Sequence, residues 1–137
     1  MKRSANATWR GGLKEGSGSF SVASGAIKEQ TYGFRTRFED APGTNPEELI
    51  AAAHASCFSM ALSAQLGERG ITPEAIETTS TITFENLTLT RSALKTTVRA
   101  RGADKAKVEE AAAAAKAGCP ISKVLNLEIV LELTVAA

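Results

Sequence analysis

The chain opens with short runs of mixed polarity broken by glycine: residues 7–10 before Gly11-Gly12, residues 19–22 before Ser24-Gly25, and residues 32–38 before Glu39-Asp40. In the third run Tyr32, Phe34, Thr36 and Phe38 fall on one side and Arg35 and Arg37 on the other, the two-residue period of a strand. These runs predict a three-stranded antiparallel start. The glycines of Gly11-Gly12 and Gly16-Ser17-Gly18 read as turns, because neither is followed by the helix and lysine that a phosphate-cradling loop needs.

The period then changes. Asn45-Pro46-Glu47-Glu48 carries a capping side chain, a proline suited to the first helical position and two carboxylates where the helix dipole favours negative charge. The body of this helix, residues 49–65, is rich in Ala, Leu and Met and apolar on nearly every face, which predicts a buried helix ending at Gly67 or Gly70. Residues 76–101 alternate Thr, Ile and Val, and Ile82, Phe84, Leu87, Leu89, Leu94 and Val98 read as the apolar side of a long hairpin. Its turn falls at Glu85-Asn86 or within residues 90–92. Asp104 caps a second helix over residues 105–117, stopped by Gly118. Cys119-Pro120 starts a further helical turn, and Leu127, Ile129, Leu131, Leu133 and Val135 alternate as a last strand.

With 137 residues the chain has room for one core, and no linker or repeat divides it, so a single domain over 1–137 is expected. A net charge of +1 lacks the concentrated Lys and Arg excess of a nucleic-acid or acidic-membrane binder. The longest apolar run, residues 49–66, is diluted by His54, Ser56, Ser59, Ser63 and Gln65, so no membrane span is expected. The basic first residues lead into no apolar segment, and two cysteines are too few for a disulfide-framed secreted scaffold. A cytoplasmic protein is expected. The charges at Lys105, Lys107, Glu109, Glu110 and Lys116 read as a solvated helix face.

The chemistry available is sulfur chemistry. Cys57 lies mid-helix on the stripe Glu47, Ile50, His54, Cys57, Ala61, where it is either a small core residue or a working thiol. Cys119 sits at a helix start, where free amides and the dipole stabilise a thiolate. The two form a reversible disulfide only if the fold joins them. His54, the one histidine, suits a base for Cys57, a metal ligand or a polar core role. Zinc is the weaker idea, since His54, Cys57 and Cys119 follow no metal-site spacing. No cofactor is expected.

Three segments together are more specific: the Tyr32-Gly33-Phe34-Arg35-Thr36-Arg37-Phe38-Glu39 run, the stretch from Gly43 through Asn45-Pro46-Glu47 to His54-Ala55-Ser56-Cys57-Phe58-Ser59-Met60, and Ala117-Gly118-Cys119-Pro120. They resemble the thiol-peroxidase superfamily of OsmC and the organic hydroperoxide resistance proteins, over essentially the whole chain. The His-Ala-x-Cys-Phe form is similar to the OsmC branch, and Ser56 stands where alanine is common. The resemblance implies an α+β fold of antiparallel sheets and two long buried helices in an intertwined homodimer. It further implies a peroxidatic Cys57, a resolving Cys119, and Arg37 and Glu47 beside Cys57. A hydroperoxide substrate, a lipoyl-type or other small dithiol as reductant and a role in stress response come with it.

The residues make physical sense of these roles. A buried mid-helix thiol resists ionisation unless a cation compensates, and Arg37 supplies one while Glu47 fixes the guanidinium through paired hydrogen bonds. Glu47 and Cys57 are separated by about 15 Å along one helix, so a guanidinium that bridges them joins two subunits. Apolar side chains such as Phe34, Phe58, Met60 and Leu62 are expected to line the pocket. A redox-sensing or ligand-binding dimer without turnover is the alternative.

Overall fold

The structure, a computed structural model, describes residues 1–136 as an α+β chain of two compact units, Met1–Leu49 and the remainder from Ile50. In the first unit β1 (Ala5–Arg10), β2 (Ser17–Val22) and β3 (Gln30–Tyr32) form an antiparallel sheet in sequence order. Trp9, Gly18 and Tyr32 share one row across it. Gly18 is therefore a strand residue and not part of a turn. A Cβ there would lie 2.5 Å from the Tyr32 ring and 2.7 Å from the Trp9 ring, so its missing side chain lets the two rings meet at 5.6 Å between centroids.

The expected strand over residues 32–38 ends at Tyr32. After Gly33 the chain turns into a short helix, α1 (Phe34–Phe38). Thr36 Oγ1 accepts from the Gly33 amide at 3.0 Å and donates to its carbonyl, closing the helix start. The same spacing that suggested a strand also satisfies a helical turn: Phe34 and Phe38 pack at 5.0 Å and Arg35 pairs with Glu39 at 3.2 Å, both four residues apart. Arg37 thus projects from a helix.

Helix α2 (Pro46–Glu68) begins at the predicted cap, where Asn45 Oδ1 accepts from the Glu48 amide at 2.8 Å. The Asn45 side-chain amide also donates to the Thr36 carbonyl at 3.0 Å, tying the start of α2 to α1. By length and composition α2 is apolar enough to cross a membrane, so its polar residues do not dilute it as far as the sequence suggested. One stripe of it, His54, Phe58, Leu62 and Leu66, is built into the core of the second unit. Ala52, Ala53, Ser56, Met60, Ser63 and Ala64 are exposed, so within one chain the helix is buried on one side only.

The second unit has a sheet of order β4 (Ala75–Glu85), β5 (Thr88–Arg99), β6 (Glu128–Ala136). β4 and β5 form the expected hairpin, turning at Asn86 and Leu87, both with positive φ. Leu87 is therefore a turn residue, 79% exposed, and not on the apolar face. β6 pairs with β5 in parallel, which demands a crossover; α3 (Lys105–Gly118) and α4 (Pro120–Val124) supply it. Asp104 caps α3 by accepting from the Ala106 amide at 3.0 Å. Val108, Ala111, Ala112 and Ala115 of α3 meet Leu94 and Val98 of β5 and the apolar stripe of α2 in one core. That core carries Cys119 at its edge, on the joint between α3 and α4.

Candidate active site

Cys57 and Cys119, sixty-two residues apart, meet in the second unit with their sulfurs at 2.8 Å, both as free thiols. The meeting follows from local chemistry. The small side chains of α3 let that helix settle deep on the core, and Pro120 forces the chain to end α3 and begin α4 at Cys119. Cys119 is fully buried at that corner, and Cys57 is half-buried on the flank of the α2 stripe.

The two thiols differ electrostatically. Burial pushes the Cys57 thiol up from its ordinary value, and its contact with Cys119 adds to this, against a smaller stabilising contact from the Ile121 amide. Burial acts against ionised Cys119 too, but there it is outweighed: Cys57, the Ser122 and Ile121 amides at the start of α4 and the Ser122 hydroxyl together hold this thiol below its usual range. In the single chain the negative charge therefore favours Cys119.

Arg37 and Glu47 meet in the first unit. The guanidinium donates to Glu47 Oε1 from Nη2 at 2.8 Å and from Nε at 3.0 Å, with Nε also 3.3 Å from Oε2. Glu47 is buried, and the guanidinium lies over the Phe38 ring at 5.4 Å. The pair is held by the Asn45 to Thr36 tie described above. Beside it a cleft of about 270 Å³ is lined by Trp9, Leu13, Tyr32, Phe34, Arg37 and Phe38. Of the pocket residues expected from sequence, only Phe34 lines it. Phe58 and Leu62 are sealed in the core of the second unit, and Met60 is 79% exposed on the outer side of α2. The aromatic wall from Trp9 and Tyr32 was missed because it depends on strand register across Gly18.

Both ring nitrogens of His54 meet serine hydroxyls, and neither meets Cys57. The histidine is fully buried, with Nδ1 2.6 Å from the Ser92 hydroxyl and Nε2 2.8 Å from the Ser122 hydroxyl, and burial lowers its pKa. Ser56 is exposed and donates to the Ala53 carbonyl at 3.1 Å, a bond within its own helix turn. Among the described residues no three His, Cys, Asp or Glu side chains cluster as a metal site.

Comparison with known proteins accords with this geometry. The OsmC-like protein family matches residues 38–134. The chain is 48% identical over 136 residues to the peroxiredoxin OsmC of Escherichia coli strain K12, covering 96% of this chain and 95% of that one. Among solved structures, an OsmC-like protein of unknown function from Vibrio cholerae superposes with a TM-score of 0.77 at 17% identity, covering 97% of this chain and 99% of that one. The organic hydroperoxide resistance protein OhrB of Bacillus subtilis does so with a TM-score of 0.66 at 27% identity, covering 96% and 98%. With its paired thiols, its clasped arginine and a match that runs nearly end to end, this chain belongs to the OsmC-like protein family.

Proposed function

We propose that the protein is a thiol-dependent peroxidase that reduces organic hydroperoxides, and hydrogen peroxide more weakly. The observation that carries this reading is the 2.8 Å approach of two free sulfurs from distant parts of the chain. The names of its relatives, a peroxiredoxin and an organic hydroperoxide resistance protein, support it.

In this reading the Cys57 thiolate attacks the distal peroxide oxygen, the O–O bond breaks, and the alkoxide leaves as alcohol after taking a proton. Cys57 is left as a sulfenic acid. Cys119 condenses with it, forming the disulfide and releasing water before a second peroxide can react. A small dithiol, of lipoyl type, returns both sulfurs to thiols by exchange. Cys57 is the more accessible sulfur, which suits attack, but its burial disfavours the thiolate, so a cation is required. Arg37, clasped by Glu47, supplies that charge and donors for the departing oxygen.

The clasp lies about ten residues, or about 15 Å of helix, before Cys57. The Arg37–Glu47 pair of one subunit therefore serves Cys57 of another, in a homodimer that covers the exposed Ala52, Ala53, Met60 and Ala64 of α2. Free thiols that cycle in this way belong in a reducing cytoplasm, in an oxidative or osmotic stress response. The test is a turnover assay comparing an alkyl hydroperoxide with hydrogen peroxide, using dihydrolipoamide and then a thioredoxin system as reductant. Faster turnover of the alkyl hydroperoxide with the small dithiol is expected. Stoichiometric oxidation without turnover under either reductant would replace the enzyme with a redox sensor. A monodisperse active monomer on sedimentation would end the two-subunit site.

A further inference from the structure

The sulfurs are not the only side chains that join α2 to the start of α4. His54 stands three residues before Cys57 on α2, and Ser122 three residues after Cys119, so each thiol has a polar neighbour one helical turn away on its own segment. Those neighbours meet as the sulfurs do. His54 Nε2 lies 2.8 Å from the Ser122 hydroxyl, and the two sulfurs lie 2.8 Å apart. The same two short segments are thus joined at two points, once by sulfur and once by a hydrogen bond.

The other edge of the imidazole is anchored to the sheet. Nδ1 lies 2.6 Å from the Ser92 hydroxyl of β5, and Ser92 meets Ser80 of β4 at 2.9 Å. His54, Ser92 and Ser122 are all buried, so water does not compete for these bonds and the ring cannot turn without losing one. Helix α4 has little else to hold it. It is five residues long, too short to be stable alone, Val124 is exposed, Ile121 is only half-buried against the core, and among the described residues Ser122 is the buried one of this helix. Cys119 is tied backward to α3 by its amide, which donates to the Ala115 carbonyl at 2.9 Å. The bond from His54 to Ser122 fixes the forward end.

We propose that His54 is a positioning residue: by holding Ser122 it pins α4 to α2 and keeps Cys119 at the distance from which it closes on oxidised Cys57. The role in closure rests on the peroxidase reading. In that step Cys119 gives an electron pair to the sulfenic sulfur of Cys57, the S–S bond forms, the S–O bond breaks, and the oxygen leaves as water with the Cys119 proton. The competing step is attack on a second hydroperoxide, which takes the sulfenic acid to sulfinic acid as the O–O bond breaks and alcohol leaves. Proximity decides between them, because a held thiol acts at a far higher effective concentration than a loose one.

The test reads the effective concentration of the two thiols and needs no peroxide. Protein is equilibrated in glutathione buffers of graded thiol to disulfide ratio, quenched in acid and mapped for the Cys57–Cys119 disulfide. Ser122→Ala is expected to lower the effective concentration by about fivefold to tenfold, and Ser122→Thr, which keeps the hydroxyl, to hold it near the native value. His54→Asn reaches Ser92 but not Ser122 and should match Ser122→Ala, while His54→Gln reaches Ser122 and should recover most of the loss. The double variant His54→Asn, Ser122→Ala should lose no more than either alone. Ser59→Ala separates positioning from mere structure: Ser59 ties α2 to Thr78 of β4 at 2.8 Å, away from α4, and its loss should leave the effective concentration unchanged. An unmoved value in Ser122→Ala, additive losses in the double variant, or an equal loss in Ser59→Ala would overturn the proposal. Under excess alkyl hydroperoxide, Ser122→Ala should carry about fivefold to tenfold more sulfinic acid on Cys57, relative to disulfide, than the native protein does. Equal shares would remove His54 from closure. A native protein that does not react with hydroperoxide would defeat the peroxidase reading, while the glutathione equilibrium still decides whether His54 holds the thiols together.

Discussion

Replacing Glu47 by Gln removes the charge that holds Arg37 while keeping nearly the same shape. The native clasp has three N–H···O contacts of 2.8, 3.0 and 3.3 Å, with the Glu47 side chain 11% exposed and that of Arg37 37% exposed. Charge-assisted hydrogen bonds contribute about 1.5–3 kcal/mol when dry, and partial exposure of the guanidinium lets water compete for it. The glutamine oxygen still accepts one bond, so the expected loss of folding stability is about 1–2 kcal/mol, read by urea denaturation. The effect on reaction is larger in kind. In the proposed mechanism a guanidinium free to swing is no longer held for the sulfur and the leaving oxygen, and single-turnover oxidation by an alkyl hydroperoxide should slow by about 10- to 100-fold. Arg37→Ala should slow it at least as much. Because Glu47 acts only through Arg37, the double variant should be no slower than Arg37→Ala alone. Multiplicative losses in the double variant, or an unchanged rate in Glu47→Gln with the clasp demonstrably gone, would refute the reasoning.

Other consequences follow from particular residues. Burial keeps the folded-state pKa of His54 below its ordinary value of 6.5, so the unfolded chain binds the proton first as pH falls. Stability is thus full above about pH 6.5 and declines below it until His54 protonates in the folded state, and His54→Gln should flatten that decline; an unchanged pH profile would contradict the assignment. Leu62→Ala opens a void among fully buried side chains and should cost about 2–5 kcal/mol in chemical denaturation, with a loss below 1 kcal/mol counting against this core. Met60→Glu places a charge on the exposed side of α2 and should convert the proposed dimer to monomer in sedimentation while slowing the proposed hydroperoxide turnover. A dimer that survives it would move the interface elsewhere.

The sequence made some of this legible because the signals were local. The Asn45-Pro46-Glu47 start, the Asp104 cap and the Gly118-Cys119-Pro120 break each act within one helical turn, and each stands where the residues said it would. Residues 32–38 were ambiguous, since Phe34 and Phe38 satisfy both a strand and a helical turn, and the choice rests on Thr36 closing onto Gly33. What depends on register or distant partners was not legible. Trp9 and Tyr32 meet only because Gly18 lies between them, and His54 finds Ser92 and Ser122 from 38 and 68 residues away. Helix α2 is apolar all round by composition, and one chain covers a single stripe of it; the rest of the expected burial depends on a second copy.

The account's central claim is that hydroperoxide oxidises Cys57 and Cys119 to one disulfide within a chain. Reduced protein treated with one equivalent of an alkyl hydroperoxide, alkylated under acid quench and analysed by intact mass and non-reducing peptide mapping, tests it most directly. The account predicts the loss of two hydrogens per chain, a Cys57–Cys119 cross-linked peptide and one equivalent of alcohol. Both thiols left free, a sulfenic or sulfonic acid persisting on Cys57 beside an alkylated Cys119, or a cross-link joining two chains would contradict it.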